Sequence, residues 1–298
     1  MFKGSIVAIV TPFSDAKHGG NLTIDEKKLR ELIDFQIDNG TSGIVPCGTT
    51  GESATLNFDE HEAVIRITIE QAKKRVPVIA GTGSNSTQEA IMLTQQAAAA
   101  GADASLQVSP YYNRPTQKGL YEHFKAIAQS VDIPIILYNI AGRTGVNIEP
   151  ETIAMLARDC KNIVAVKEAS GSLDQMSRIK QLCPKEFSLM SGDDALTLPV
   201  LSIGGTGIIS VVANIVPADM ANLVSAFQKG DLKKAKDLHF KLLPLIKAVF
   251  LETNPIPVKT AMGLLGMCDP GLRLPMCSMS DVNLEKLKKA LKDYGLLK

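Results

Sequence analysis

The sequence places a lysine, Lys167, directly after the apolar run 163–166, and residues that open a helix follow it. If 163–166 is a β-strand, alternate side chains point to opposite faces, so Lys167 shares a face with Ala165. Burial among apolar groups disfavours the ammonium form, lowers the pKa of a lysine and makes its amine nucleophilic. The structural alternative is a strand-end lysine paired with an acid such as Glu168 or Asp193, and this stretch by itself slightly favours that alternative.

Other groups with hydroxyl, phenol or guanidinium chemistry follow other predicted strands. They are Gly48-Thr49-Thr50-Gly51-Glu52 after the second, Pro110-Tyr111-Tyr112-Asn113-Arg114-Pro115 after the fourth, Tyr138-Asn139 and Gly142-Arg143-Thr144-Gly145 after the fifth, and Ser191-Gly192-Asp193-Asp194 after the seventh. Each has an ordinary explanation, because glycine and threonine pairs form turns and strand-end tyrosines often cap a core. Together with Lys167, they are the set that a Schiff-base enzyme needs.

These groups meet only if the strands that carry them end at the same place. Apolar runs predict eight strands, at 5–10, 43–46, 78–80, 104–108, 133–138, 163–166, 187–190 and 207–210, and helical patterns follow them. Eight such units in one chain favour the α/β class and a closed (β/α)8 TIM barrel, in which strand ends converge on one mouth, over an open doubly wound sheet. The first strand is not followed by GxGxxG, which weakens a dinucleotide-binding alternative.

The pattern changes after about residue 215. Helical patterns at 218–228, 232–250, 257–265 and 283–294 follow one another without strands. Part of this stretch completes the outer ring of the barrel, and the rest predicts a C-terminal helical extension. We therefore expect a catalytic barrel at 1–225 and a helical region at 226–298 that packs on it, with no flexible linker between them.

Composition excludes several classes of protein. With 45% hydrophobic residues, 21% charged residues and a net charge of +1, the chain gives no reason to expect nucleic acid or a membrane as partner. Its five cysteines are dispersed and form no CxxC pair, and its four histidines are far apart, so neither a disulfide framework nor a metal site is expected. We find no signal peptide and no apolar run long enough to span a membrane, and expect a cytoplasmic protein.

Four of the motifs carry a resemblance to a known family. The segments 48–52, 111–115, 138–145 and 166–168 resemble, in order and with similar spacing, the dihydrodipicolinate synthase family of pyruvate-dependent class I aldolases and lyases. The resemblance covers nearly the whole chain. Most of these motifs are shared across the superfamily, whereas the Gly142-Arg143-Thr144-Gly145 loop points more narrowly to the synthases.

The resemblance implies a role for each residue that reacts. Lys167 matches the lysine that forms an imine with pyruvate, and Tyr138 matches the general acid/base above it. Thr49 and Tyr112 match the other members of a hydroxyl proton relay, with Tyr112 reaching across a dimer interface into the neighbouring site. A homotetramer built from tight dimers is the assembly that the family implies.

The resemblance also implies the binding residues. Thr50 and the backbone of Ile209 match groups that hold pyruvate, and Gly192 lines the same pocket. Arg143 matches the arginine that binds the carboxylate of aspartate semialdehyde. The covalent imine on Lys167 replaces any metal or organic cofactor.

A regulatory site for L-lysine is implied at the dimer interface of the family. Its residues map onto Ser53, Ala54, His61, Asn85, Glu89 and Tyr111. His61 and Glu89 favour feedback inhibition, although both also suit ordinary solvated helix positions. Phe58 departs from the histidine of sensitive family members.

The resulting functional prediction is condensation of pyruvate with L-aspartate-4-semialdehyde to 4-hydroxy-tetrahydrodipicolinate, in diaminopimelate and lysine biosynthesis. The alternative within the enzymes is a sister aldolase, such as N-acetylneuraminate lyase or a keto-deoxy-sugar-acid aldolase, which would keep Lys167, Tyr138 and Thr50 but would not need Arg143. A non-catalytic barrel that binds a keto acid is a third possibility. The intact lysine, tyrosines and threonines argue against it.

Overall fold

The computed structural model of the chain describes residues 2–14 and 22–298, so that one of the four histidines, His18, lies outside the described residues. Its centre is a set of eight parallel strands. They are β1 (Gly4–Ala8), β2 (Gly43–Val45), β3 (Ile79–Gly81), β4 (Ala104–Val108), β5 (Ile135–Asn139), β6 (Ile163–Glu168), β7 (Ser188–Ser191) and β8 (Gly207–Ser210). Each overlaps one of the eight predicted runs.

The strands form a nearly closed barrel. Hydrogen bonding runs in the order β2-β1-β8-β7-β6-β5-β4-β3. Between the outermost pair, β2 and β3, Ile44 forms an isolated parallel bridge with Val78. The prediction of an α/β (β/α)8 barrel is confirmed.

The inside of the barrel is filled by alternate side chains from the strands. Its buried cluster consists of Ile6, Ala8, Val45, Ile79, Ala104, Leu106, Ile136, Tyr138, Ala165, Met190 and Ile209. Side chains of neighbouring parallel strands stack in layers in this arrangement. Because β5 pairs with β6 so that Tyr138 lies beside Lys167, both side chains belong to the layer nearest the mouth.

Helices surround the strands and bury a second layer of apolar side chains. They are α1 (Glu26–Asp38), α2 (Phe58–Ala72), α3 (Thr87–Ala100), α4 (Gln117–Gln129), α5 (Ala141–Thr144), α6 (Pro150–Asp159), α7 (Leu173–Leu182) and α8 (Thr197–Ser202). Side-chain caps fix where several of them begin: Asn57 and Glu60 form a capping box at α2, and Ser86 caps α3.

Four further helices follow the last barrel strand: α9 (Pro217–Gln228), α10 (Leu232–Ala248), α11 (Ile256–Leu264) and α12 (Asp281–Tyr294). Helix α9 packs against β1, whereas α10 packs on α9 and α12. The expected C-terminal helical extension is therefore present. The division of the chain at residue 225 stays a prediction, and this residue lies within α9.

Three local features differ from the sequence prediction. The helical pattern after the seventh predicted strand forms a 3₁₀ turn, Asp194–Leu196, and then the short helix α8, and not one continuous helix; the carboxylate of Asp194 accepts from the backbone N–H of Val211. Strand β6 is longer than the predicted run 163–166 and includes Lys167 and Glu168. A two-stranded ribbon of Phe13–Ser14 and Thr23–Ile24 was not predicted, since two-residue strands leave no periodic pattern.

The described residues lack two kinds of feature. Within residues 2–14 and 22–298, no helix is long and apolar enough to cross a membrane. The same residues contain no cluster of three or more His, Cys, Asp or Glu side chains that could hold a metal ion.

Candidate active site

Lys167 extends from β6 into the mouth of the barrel. Its side chain is 6% exposed, and its Nζ lies 4.2 Å from the centre of the Tyr138 ring. Among the described residues it has no hydrogen-bond or ion-pair partner. Burial lowers its pKa from the ordinary value to about 8, with the positive charge of Arg143 acting in the same direction. A substantial fraction of this amine is therefore neutral and nucleophilic near neutral pH.

Tyr138 lies beside that amine and carries a phenol that can move a proton. Its pKa is raised to about 12 by burial, while the charge of Arg143 and a hydrogen bond with Thr49 oppose the rise. The phenol therefore keeps its proton at neutral pH and can donate it. Thr49 follows β2, whereas Tyr138 ends β5, so the hydrogen bond that lowers the pKa of Tyr138 joins two separate strand ends. The role of the two residues in a proton relay stays a prediction.

Of the residues matched to pyruvate binding, Gly192 contacts Lys167. Gly192 packs directly on it: a Cβ at this position would lie 3.1 Å from Lys167 Cε and 2.7 Å from the Cβ of Ala169. No larger residue fits there without displacing the lysine. Ile209 is fully buried in the barrel interior, and Thr50 is 2% exposed at the base of the mouth.

Arg143 lies on the short helix α5 at the rim of the mouth. Its Nη2 donates to the carbonyl oxygen of Asn254, 3.3 Å away. Its charge influences the pKa values of both Lys167 and Tyr138, so the guanidinium faces the same opening. The site thus combines an amine of lowered pKa, a protonated phenol and a guanidinium suited to a carboxylate.

Asp194 belongs to this site, although the sequence analysis did not single it out. Its carboxylate is buried and accepts hydrogen bonds from the Ser210 hydroxyl and from the backbone N–H of Val211, at 3.0 Å. Burial raises its pKa to about 6. Its charge raises the pKa of Lys167 and so partly offsets the effect of burial.

The two acids considered as partners for Lys167 bind elsewhere. The carboxylate of Glu168 points to the outer face of β6, where it accepts hydrogen bonds from Asn139, at 3.0 Å, and from Gln175, at 2.9 Å. Asp193 accepts from the backbone of Ala195 at 2.8 Å. The hypothesis that Lys167 forms an ion pair with Glu168 or Asp193 is therefore wrong.

Tyr112 does not join the site within one chain. Its side chain is 90% exposed and makes no hydrogen bond with the described residues. Its φ of 72° lies in the left-handed region, which a tyrosine rarely adopts. The ring of Tyr112 therefore points away from its own chain.

The residues matched to the lysine site lie on several elements. Burial lowers the pKa of His61, which is 7% exposed and whose Nε2 lies 2.9 Å from the carbonyl oxygen of Gly81. The carboxylate of Glu89 accepts a hydrogen bond from the hydroxyl of Ser84. Asn85 donates to the carbonyl oxygen of Tyr111 at 3.1 Å. Ser53 and Ala54 lie in the 3₁₀ turn before α2, and Phe58, at its start, is 53% exposed.

Comparisons with known proteins agree with this geometry. The model of the dihydrodipicolinate synthetase family matches residues 1–294. The 4-hydroxy-tetrahydrodipicolinate synthase of Endomicrobium trichonymphae is 61% identical over 298 residues, covering 100% of both chains.

Solved structures give the same result. The crystal structure of dihydrodipicolinate synthase from Aquifex aeolicus superimposes with a TM-score of 0.96, at 50% identity over 99% of each chain. The DHDPS of Cyanidioschyzon merolae, solved with lysine bound, has a TM-score of 0.95 at 42% identity over 99% of each chain. With the family model and a full-length relative in agreement, the chain belongs to the dihydrodipicolinate synthetase family.

Proposed function

We propose that this chain condenses pyruvate with L-aspartate-4-semialdehyde through a Schiff base on Lys167, giving 4-hydroxy-tetrahydrodipicolinate for diaminopimelate and lysine biosynthesis. The observation that carries the proposal is the buried, unpaired amine of Lys167 against Tyr138, with its pKa lowered to about 8. The names of the full-length relatives support the choice of substrates.

The chemistry follows from the groups at the mouth. The neutral amine of Lys167 attacks the ketone carbon of pyruvate, and loss of water leaves an imine. The imine nitrogen then accepts electrons as C3 loses a proton, and the resulting enamine attacks the aldehyde carbon, whose oxygen takes up a proton to become a hydroxyl. The amino group of the semialdehyde next attacks the imine carbon, which closes the ring and releases Lys167 as the free amine. Tyr138, protonated at neutral pH and bonded to Thr49, supplies and recovers the protons. This sequence requires no metal or organic cofactor.

We assign different residues to the binding of the two substrates: Thr50 and Gly192 to pyruvate, and Arg143 to the semialdehyde. Thr50 offers a hydroxyl to the pyruvate carboxylate, and Gly192 leaves room beside the Lys167 stem. Arg143, at the rim, presents a planar guanidinium to the carboxylate of the incoming semialdehyde. This second carboxylate site favours the synthase reaction over a sister aldolase acting on sugar acids, which would not require it.

Turnover assays separate these possibilities. We expect product from pyruvate with aspartate semialdehyde, and no comparable cleavage of N-acetylneuraminate or of a keto-deoxy-sugar acid. Preferential cleavage of either sugar acid would favour the sister aldolases, and absence of all three activities would favour a binding protein.

Arg143→Ala tests the assignment of the second substrate. Loss of a charge-assisted, bidentate contact costs about 2–3 kcal/mol, so kcat/KM for the semialdehyde should fall about 30- to 160-fold. Pyruvate imine formation should change several-fold at most, since Arg143 contributes only a minor influence on Lys167. An equal loss in both measurements would contradict the role proposed for Arg143.

A dimeric arrangement completes the proposed relay. Tyr112 is exposed on its own chain, which is the state expected of a side chain that enters a neighbouring site. Sedimentation should give the mass of four chains at high concentration, and Tyr112→Phe should lower turnover. A fully active monomer would contradict this part of the proposal.

Inhibition by L-lysine is the proposed regulation. Its support is the Asn85–Tyr111 contact and the lysine bound to the Cyanidioschyzon merolae protein. Titration of turnover with L-lysine should show inhibition that Glu89→Gln weakens.

The five free thiols agree with the reducing environment of the cytoplasm, the location we propose.

A further inference from the structure

Asn254, which lies between α10 and α11, contacts both sides of the site. Its side-chain Nδ2 donates to Thr50 Oγ1 at 3.0 Å, and its backbone carbonyl accepts from Arg143 Nη2 at 3.3 Å. The residue is 5% exposed. It therefore connects the group offered to the pyruvate carboxylate with the group offered to the semialdehyde carboxylate.

We propose that Asn254 is a positioning residue for the reaction, which orients the hydroxyl of Thr50 toward pyruvate and anchors Arg143 through its main chain. The inference rests on the proposed function. Asn254 acts through these two residues and is not itself assigned a contact with the reacting atoms.

The donors and acceptors of a hydroxyl group explain how Asn254 orients Thr50. A threonine hydroxyl has one proton to donate and lone pairs with which to accept, whereas an amide nitrogen only donates. Since Thr50 accepts from Asn254, its own proton is directed away from the asparagine and toward another acceptor. A carboxylate, which only accepts, is the complementary ligand.

The hydrogen bonds of the Asn254 side chain do not by themselves explain why an asparagine occupies this position. Its Oδ1 is buried and has no hydrogen-bond partner among the described residues. A buried acceptor without a partner reduces stability, and an apolar side chain at the same place would avoid that loss. The Asn254 side chain uses its amide nitrogen as a donor but leaves its buried oxygen without a partner. This arrangement favours a functional role over a role in folding.

The surrounding structure holds Asn254 in register with Thr50. Five residues further along the chain, Lys259 forms a fully buried ion pair with Glu52, with Nζ 2.6 Å from Oε1. Glu52 belongs to the same turn as Thr50, so this pair fixes α11, and Asn254 just before it, against the turn after β2. Two contacts from the C-terminal region therefore hold the loop that contains both active-site threonines.

The test compares how Asn254→Ala affects the two substrates in the full-length protein. We expect the KM for pyruvate to rise about tenfold, the usual scale for losing an oriented hydrogen bond to a charged group. The KM for the semialdehyde should change less than about threefold, because alanine keeps the backbone carbonyl that holds Arg143. An unchanged pyruvate KM, or an equal rise for both substrates, would overturn the inference.

A double-mutant cycle distinguishes positioning from loss of structure. If Asn254 acts through Thr50, Asn254→Ala combined with Thr50→Val should bind pyruvate no more weakly than Thr50→Val alone. Independent effects would multiply instead, which would contradict the proposal. Asn254→Asp keeps the shape of the residue but cannot donate, so it should raise the pyruvate KM at least as much as alanine does.

A matched control and an independent readout complete the design. Asn162 binds the carbonyl oxygens of Ala128, at 2.9 Å, and Val131, at 3.0 Å, at the opposite end of the barrel. Asn162→Ala should lower the melting temperature without changing either KM. Pyruvate affinity can also be measured by borohydride trapping without any aldehyde. Failure of the wild-type protein to trap pyruvate contradicts the proposed function, whereas equal trapping curves for wild type and Asn254→Ala contradict the role of Asn254 alone.

Discussion

Two lysines are buried within residues 2–14 and 22–298, each beside an aromatic ring, and they differ in their other contacts. Lys167 lies 4.2 Å from the ring centre of Tyr138, and Lys259 lies 4.3 Å from that of Phe13. Lys259 also pairs with Glu52 and donates to the carbonyl oxygens of Thr11, at 3.1 Å, and Gly271, at 2.7 Å. Lys167 has no such partner among the described residues.

Burial alone therefore does not make a nucleophile. It lowers the pKa of both amines, but the charge of Glu52 opposes the shift in Lys259. An ammonium has three protons to donate, and Lys259 has three oxygen acceptors around it. The charged form of Lys259 is thus stabilised and its lone pair occupied, whereas Lys167 retains a lone pair that can attack a ketone.

Replacing Lys167 should produce the largest effect on catalysis. Lys167→Met removes the attacking amine and keeps the apolar stem, so turnover should fall by about 10³-fold or more, or at least about 4 kcal/mol of transition-state stabilisation. Folding should be preserved, because an unpaired buried polar group is lost. Steady-state kinetics and thermal unfolding check both expectations. Retention of more than about a tenth of the turnover would exclude Lys167 as the nucleophile.

Replacing Lys259 should instead reduce stability. Lys259→Met leaves Glu52 charged and buried without its partner, a change that typically costs about 3–5 kcal/mol. For a chain of this size the melting temperature should fall by roughly 10 °C. The folded fraction should still trap pyruvate on Lys167.

A second substitution tests the reason for that loss. Adding Glu52→Gln to Lys259→Met removes the unpaired charge and should restore part of the lost melting temperature, measured by calorimetry. If the melting temperature of the double variant is instead lower than that of Lys259→Met, by the amount expected for an independent site, the two side chains are not coupled.

The dependence of imine formation on pH should give the smallest effect. Lys167 is charged below its pKa of about 8, so the rate of trapping should rise with pH and level off above that value. The carboxylate of Asp194 raises the pKa of Lys167, so Asp194→Asn should move the midpoint to lower pH. Asp193→Asn is the matched control and should leave the midpoint in place. A midpoint that moves equally in both variants would contradict the influence assigned to Asp194.

The sequence predicted the parts of the site that depend on periodic structure. Lys167 and Tyr138 end consecutive strands, so recognising eight strands was enough to place them together. The roles of Thr49, Thr50 and Arg143 came from the family resemblance, and the structure places these residues around the same mouth. The predicted sets for binding and regulation await the experiments described above.

The missed contacts join distant segments that have no repeating pattern. Asn254 and Thr50 are 204 residues apart, and Lys259 and Glu52 are 207 apart. Both connections depend on how the C-terminal helices close over the barrel, which no local propensity encodes. In the sequence, Lys259 was indistinguishable from a solvent-exposed lysine on an amphipathic helix. Its lack of exposure becomes evident only from the fold.

Borohydride trapping with pyruvate tests the contrast between the two lysines most directly. The protein is incubated with pyruvate, reduced, digested and analysed by mass spectrometry. We predict one modified lysine, Lys167, and an unmodified Lys259 in the same digest. A folded protein with no adduct, or an adduct on Lys259 or another lysine in place of Lys167, would contradict it.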